Sequence, residues 1–154
     1  MDTALILNRM MRLCSLSEHC SSDILSRLEK YEGIDAEAIV GRLTAEGYLD
    51  DARYARAFAR DKSSLYCWGT AKIRVALQRK DICAQDIDNA LSQIDMESAD
   101  ARLLSAATLK WKSLSKETDP QKKRAKFFRF LLGRGYTLDK VYKVYDTVRT
   151  AKRD

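Results

Sequence analysis

The chain of 154 residues carries 28 Lys and Arg against 22 Asp and Glu, a formal net charge of +6, with 45% apolar and 32% charged residues; this balance excludes a disordered tail and suits a folded globular chain. No run reaches the roughly 18–20 apolar residues of a membrane span, the start Met1-Asp2-Thr3-Ala4-Leu5 lacks the basic-then-apolar secretory signature, and a lone histidine, His19, leaves too little for a His-based zinc site or an ordinary catalytic triad. The expectation is a cytoplasmic binding protein: no enzyme, no cofactor, no metal and no membrane partner.

One proline and six glycines leave room for long elements, and the apolar spacing is helical almost throughout. Asp2 stands where a first helix begins; Ile24 and Leu28 mark a second, Glu32-Gly33 a turn, and Ile39 with Leu43 a third. The turn at Glu46-Gly47 leads into Gly47-Tyr48-Leu49-Asp50-Asp51. Its two aspartates read as capping and dipole compensation at a helix start, not as a carboxylate pair for acid–base chemistry. On the next helix Tyr54 and Phe58 are expected to pack inward, with Arg53, Arg56 and Arg60 outward. Trp68-Gly69 is an element end, Ile73 and Leu77 a further stripe, and Lys80-Asp81 a turn. Ile87, Ala90, Leu91 and Ile94 follow at i, i+3, i+4 and i+7. Asp100 is expected to begin the seventh helix, Trp111 to pack near its end, and the polar stretch Lys112 to Pro120 to form a flexible joint. Asp119-Pro120 reads as a cap followed by proline at the first helical position. Phe127 and Leu131, the turn Arg134-Gly135, and Val141, Val144, Tyr145 and Val148 complete the chain.

These nine elements fall into three similar sets. Asp2, Asp51 and Asp100 are 49 apart, and Asp51-Ala52-Arg53 recurs as Asp100-Ala101-Arg102. The second-helix pairs Ile24/Leu28, Ile73/Leu77 and Phe127/Leu131, and the third-helix pairs Ile39/Leu43, Ile87/Leu91 and Val141/Tyr145, step by 48 to 49 and then by 54. The expected architecture is all-α: three tandem three-helix repeats, residues 1–48, 49–96 and 97–154, forming an elongated, curved array. A compact nine-helix bundle is the alternative.

Cys14, Cys20, Cys67 and Cys83 lack C-x-x-C spacing and read as buried free thiols. His19-Cys20 fails as a base–nucleophile pair, since helical neighbours diverge by about 100°. The charge is uneven: residues 1–120 hold 17 basic and 19 acidic side chains, net −2, and 121–154 hold 11 and 3, net +8. Two clusters stand out: Lys72, Arg74, Arg79 and Lys80 in the middle set, and Lys122, Lys123, Arg124, Lys126, Arg129 and Arg134 in the last. Lys72 aligns with Lys126. Such clusters point to contact with a polyanion; the alternative is a merely solvated face. Phe127 and Phe130 lie at core spacing with Leu131, whereas Phe128 could stack on a base.

Read together, Leu43-x-x-x-Gly47-Tyr48-Leu49-Asp50-Asp51-x-Arg53-Tyr54-Ala55, Gly69-x-x-x-Ile73-x-x-x-Leu77-x-x-Lys80 and Ile87-x-x-Ala90-Leu91 resemble the RecX family of bacterial recombinase regulators. Leu16-Ser17-Glu18-His19-Cys20-Ser21 is similar to the family's opening unit, and Phe127-x-x-x-Leu131-x-x-x-Gly135-Tyr136 to its closing unit. The resemblance implies three three-helix units and a monomer that binds the RecA recombinase filament, restraining its ATP hydrolysis, extension and strand exchange in recombination, repair and the SOS response. Single-stranded or filament-bound DNA is a possible second partner, and the family offers no catalytic residue to carry over. Lys80-Asp81 departs from the family's usual Lys-Gly, and Cys20 from its Ser-rich stretch. A helical-repeat protein that binds DNA without a recombinase is the alternative.

Overall fold

Nine α-helices and no strand occur among the described residues, 2–151, of the computed structural model; Lys152, Arg153 and Asp154, which enter the charge count, lie outside them. The helices are α1 (Thr3–Leu16), α2 (Ser21–Leu28), α3 (Ala36–Ala45), α4 (Asp51–Ser64), α5 (Thr70–Arg79), α6 (Ala84–Ser92), α7 (Met96–Ser113), α8 (Pro120–Gly133) and α9 (Leu138–Thr150). Carboxylates cap several of them: Asp2 accepts from the Ala4 N–H, Asp35 from Ala38, Asp50 from Arg53 and Asp119 from Gln121. Each such cap contributes about 1 kcal/mol.

The repeat expected from spacing is carried by the buried side chains. Ile24/Leu28, Ile73/Leu77 and Phe127/Leu131 are all at most 1% exposed, one pair on each of α2, α5 and α8. Three apolar clusters result, centred on Ile6, Leu43 and Leu49, on Ile73, Leu77 and Ile87, and on Phe127, Leu131 and Val141. Burying one such side chain contributes about 1.5–3 kcal/mol.

Several expectations are corrected. Asp100 does not start α7, which begins at Met96 after Asp95; the buried register Ala55/Ala59 to Leu103/Ala107 steps by 48, so Arg102 is turned by one residue, about 100°, from the position of Arg53. The inner stripe of α4 is Ala55, Ala59 and Ser63, with Tyr54 and Phe58 flanking the core half-buried. Small residues are needed there because α4 packs against α5, α6 and α7 together. Of the stretch Lys112 to Pro120, residues 114–119 do connect α7 to α8, but its ends are helical. Lys112 and Ser113 belong to α7, which at 18 residues absorbs most of the insertion, and Leu114 is buried in the third cluster. Tyr145 is half-buried among aromatic rings rather than enclosed as Leu43 is. Of the four free thiols Cys20 alone is buried, and Cys83 is exposed.

Candidate functional site

The motif Gly47-Tyr48-Leu49-Asp50-Asp51 is a structural junction. Leu49 is buried against α1 and α3. Asp50 caps its own helix, whereas Asp51 accepts from the Ser21 N–H at 2.8 Å and the Ser21 hydroxyl at 3.1 Å, capping α2 of the preceding set. Arg53 binds Glu18 at 2.7 Å and the Gly47 carbonyl at 3.2 Å. Lys80, a candidate contact residue, binds Asp23 at 2.6 Å across the same junction. The Cys20 thiol is fully enclosed and burial pushes its pKa up, so it is no nucleophile; His19 instead meets the Ser17 hydroxyl at 3.1 Å. Among the described residues no three His, Cys, Asp or Glu side chains gather as a metal cage, and no helix is long and apolar enough to cross a membrane.

The second junction brings the two basic helices together. The first N–H groups of an α-helix and the last carbonyls of another are unsatisfied within their own helices. Here they satisfy each other: Gly69 N–H donates to the Arg134 carbonyl at 2.7 Å, and Ala71 N–H to the Gly135 carbonyl at 3.0 Å. The end of α8 thus meets the start of α5 head to tail, with dipoles of opposite sign in contact. The approach needs glycine on both sides. A Cβ on Gly69 would lie 2.3 Å from the Gly135 carbonyl carbon, and one on Gly135 would lie 2.2 Å from the Lys72 Cβ. The Tyr136 hydroxyl donates to the Cys67 carbonyl at 2.9 Å and Arg134 to the Tyr66 carbonyl at 3.1 Å, fastening the loop before α5.

Around this joint Lys72, Val75, Ala76 and Arg79 of α5 face Leu132 and Gly133 of α8 across a groove of about 410 Å³. On α8, Lys122, Ala125, Arg129 and Leu132 are exposed at steps of three and four residues, one continuous helical stripe that ends on the groove. Val75 and Leu132 stay 45% and 42% exposed between the cations.

Several of the candidates are already partnered. Arg74 pairs with Asp88 at 2.8 Å, and Lys126 with Glu117 at 2.6 Å; Glu117's carboxyl is held below its usual range, chiefly by that lysine. Lys72 lies 4.4 Å over the Trp68 ring and Lys123 3.9 Å over Trp111. Arg124 spans the rings of Phe128, Tyr142 and Tyr145. Arg79, Lys122 and Arg129 are exposed, with no hydrogen bond or ion pair to any described residue. Phe127 is core, as expected; Phe130 is half-buried beneath Lys110 and Arg134, and Phe128 packs edge-on to Tyr142 with centroids 5.0 Å apart. Sequence reasoning passed over the Gly69–Gly135 contact, because the two glycines are distant in the chain, and over the exposed Tyr142 beside Arg124.

Two family models match the chain, described as the second three-helix domain of RecX over residues 50–91 and the third over residues 98–145. A Regulatory protein RecX from Clostridium botulinum (strain Alaska E43) is 39% identical over 112 residues, 70% of this chain and 52% of that protein. One from Chlorobium phaeobacteroides is 31% identical over 142 residues, 86% of this chain and 91% of the relative. The chain thus spans about half the length of the clostridial relative and nearly all of the Chlorobium one. Two crystal structures share the fold: a regulatory protein RecX with TM-score 0.81 and 23% identity, covering 96% of this chain and 71% of that one, and RecX from Lactobacillus salivarius with TM-score 0.83 and 16% identity, covering 96% and 97%.

Proposed function

We propose, for a chain that belongs to the RecX family, that it is a cytoplasmic, monomeric regulator which binds the RecA recombinase on its filament and inhibits ATP hydrolysis, filament extension and strand exchange during recombination and repair, without catalysing a reaction itself. The observation that carries this reading is the head-to-tail joint of α8 and α5, which joins the stripe Lys122–Arg129–Leu132 to the groove lined by Lys72, Val75 and Arg79. Cations interleaved with exposed aliphatic side chains suit a partner that is acidic and partly apolar, as a protein filament carrying nucleic acid is. The sets 1–48, 49–96 and 97–154 act in this reading as modules, the first anchoring the second through Asp51 and Lys80 and the last two presenting the contact surface. Binding restrains the filament by favouring one of its states over another.

The test is a titration into a RecA ATPase assay on single-stranded DNA. The variant carrying Arg79→Glu, Lys122→Glu and Arg129→Glu changes only exposed side chains without a hydrogen bond or ion pair to a described residue, so its helical content and melting temperature should stay close to those of the wild type. Its half-inhibiting concentration should rise about tenfold or more, the equivalent of about 1.4 kcal/mol. Unchanged inhibition at physiological salt would remove the surface from the mechanism. A recombinase-independent DNA-binding role is favoured by one feature, the exposed Tyr142 beside Arg124 and Phe128, which fits a stacked base. Tight binding to DNA alone, with no effect on RecA beyond competition for the strand, would select that role.

A further inference from the structure

A third group of cations, absent from both basic clusters, lies where α4 meets α7. Arg56, Arg60 and Arg102 line one cleft of about 400 Å³ with Ser63, Ser98 and Asp95. The cleft owes its charge to the slip in register between the recurring Asp-Ala-Arg triplets. At the first junction Arg53 meets a carboxylate, Glu18, and two backbone carbonyls. At the second, Arg102 is turned toward α4 and finds the Ser63 hydroxyl at 3.0 Å. It has no ion pair among the described residues, and its Nε is buried without a hydrogen-bond partner. An arginine partly withdrawn from water, with neither a direct ion pair nor full hydrogen bonding, is costly unless an anion meets it.

The surroundings supply one carboxylate, which acts on Arg102 through its charge without forming an ion pair. Asp95 carries the one carboxylate lining the cleft and is engaged by the Ser98 hydroxyl at 2.6 Å. Arg60 leans on its exposed neighbour Asp61 at 3.4 Å, a contact of little worth in water. Three guanidinium groups against one lining carboxylate leave an excess of two positive charges. We propose that this cleft is a binding site for a phosphate group, presented either by the backbone of a DNA strand or as a free phosphate. A guanidinium fork takes two oxygens at once, so one carboxylate satisfies one fork, whereas the several oxygens of a phosphate can engage two or three forks together. The proposal is independent of the recombinase reading and of the α5–α8 surface.

The test follows the arginine Nε–H resonances of the full-length chain by NMR at constant ionic strength, with inorganic phosphate as one probe, a short oligothymidylate strand as the second and acetate as the control. The signals of Arg56, Arg60 and Arg102 should shift saturably with phosphate or with the strand. Saturation by inorganic phosphate identifies an isolated phosphate group as sufficient, whereas a response to the strand alone assigns the site to a nucleic-acid backbone. The variant Arg56→Gln/Arg60→Gln, exposed at both positions, should bind about tenfold more weakly, and Arg102→Lys, which keeps the charge and loses the fork, should also weaken binding. Three results would overturn the site: no shift with either probe, an equal response to acetate, or wild-type affinity in the double variant.

Discussion

At the scale of single residues, Asp81 shows what a local departure costs. Gly33, Asp81 and Gly135 follow the second helix of each set, 48 and 54 residues apart, and all three take positive φ, +71°, +57° and +91°. The left-handed conformation costs an ordinary L residue about 1–2 kcal/mol, less for aspartate, and glycine gives part of that back through chain entropy. Asp81→Gly should therefore stabilise the protein by about 0.5 kcal/mol and raise the melting temperature by about 1–2 °C, read by thermal denaturation. One residue earlier, Lys80 and Asp23 set a pH window. Burial opposes ionisation of Asp23, but hydrogen bonds from Lys80 and Cys20 outweigh it and hold the carboxyl below its usual 3.8. Lys80 is held above 10.5, chiefly by its hydrogen bond to Asp23. A lowered carboxyl pKa gives stability that is present above the unfolded value and lost as pH falls through the folded one. A raised lysine pKa gives stability present below the unfolded value and lost as pH rises through the folded one. The pair's contribution is thus complete between about pH 4 and pH 10. Urea midpoints should fall less steeply below pH 4 in Asp23→Asn than in the wild type.

Between elements, the decisive contact is backbone on backbone. Gly69 and Gly135 let the start of α5 touch the end of α8, and neither side can yield to a methyl group by rotating a side chain. Gly69→Ala should cost about 2–4 kcal/mol, since relief requires the second and third sets to separate. Gly135→Ala adds strain at φ +91° and should cost at least as much. Urea denaturation measures both, and a loss below about 0.5 kcal/mol, within the range of ordinary surface changes, would show that the two helix ends are not held together. The length of α7 belongs to the same scale. Most of the insertion lengthens α7, which carries Trp111 and leads to Leu114 in the core, while residues 114–119 still connect α7 to α8.

Over the whole molecule, surface area and charge act together. A folded chain of 17.6 kDa exposes about 7,900 Å² when compact, whereas this one exposes 9918 Å². The excess of about a quarter is that of an elongated stack in which each set buries its core chiefly within itself and against its neighbour. Such a shape can present the cations of α8 and α5 in one strip. If that strip contacts the phosphates of a single strand, each cation contributes about 0.7 to the slope of log affinity against log salt. Removing Arg79, Lys122 and Arg129 should then flatten the slope by about 2, measured by fluorescence anisotropy over a salt series. An unchanged slope would place the strand elsewhere.

Helix identity, the threefold repetition and most of the core were legible in the residue pattern, because burial of Ile73/Leu77 and its counterparts depends on spacing along one helix. The capping role of the Asp50-Asp51 pair and the turn at Asp81 were legible for the same reason, being decided within a few residues. Pairing between distant residues was not. That Lys80 and Lys126 are held by Asp23 and Glu117, that Arg79 and Arg129 are left exposed, and that Arg102 shares a cleft of three arginines with a single carboxylate depend on which helix ends meet and in what register. Composition placed the positive charge in the last set; its continuation onto α5 was decided by two glycines 66 residues apart that allow one close contact. Local periodicity carries information only along an element, whereas the chemistry of a surface depends on distances between elements, and only tertiary packing sets those.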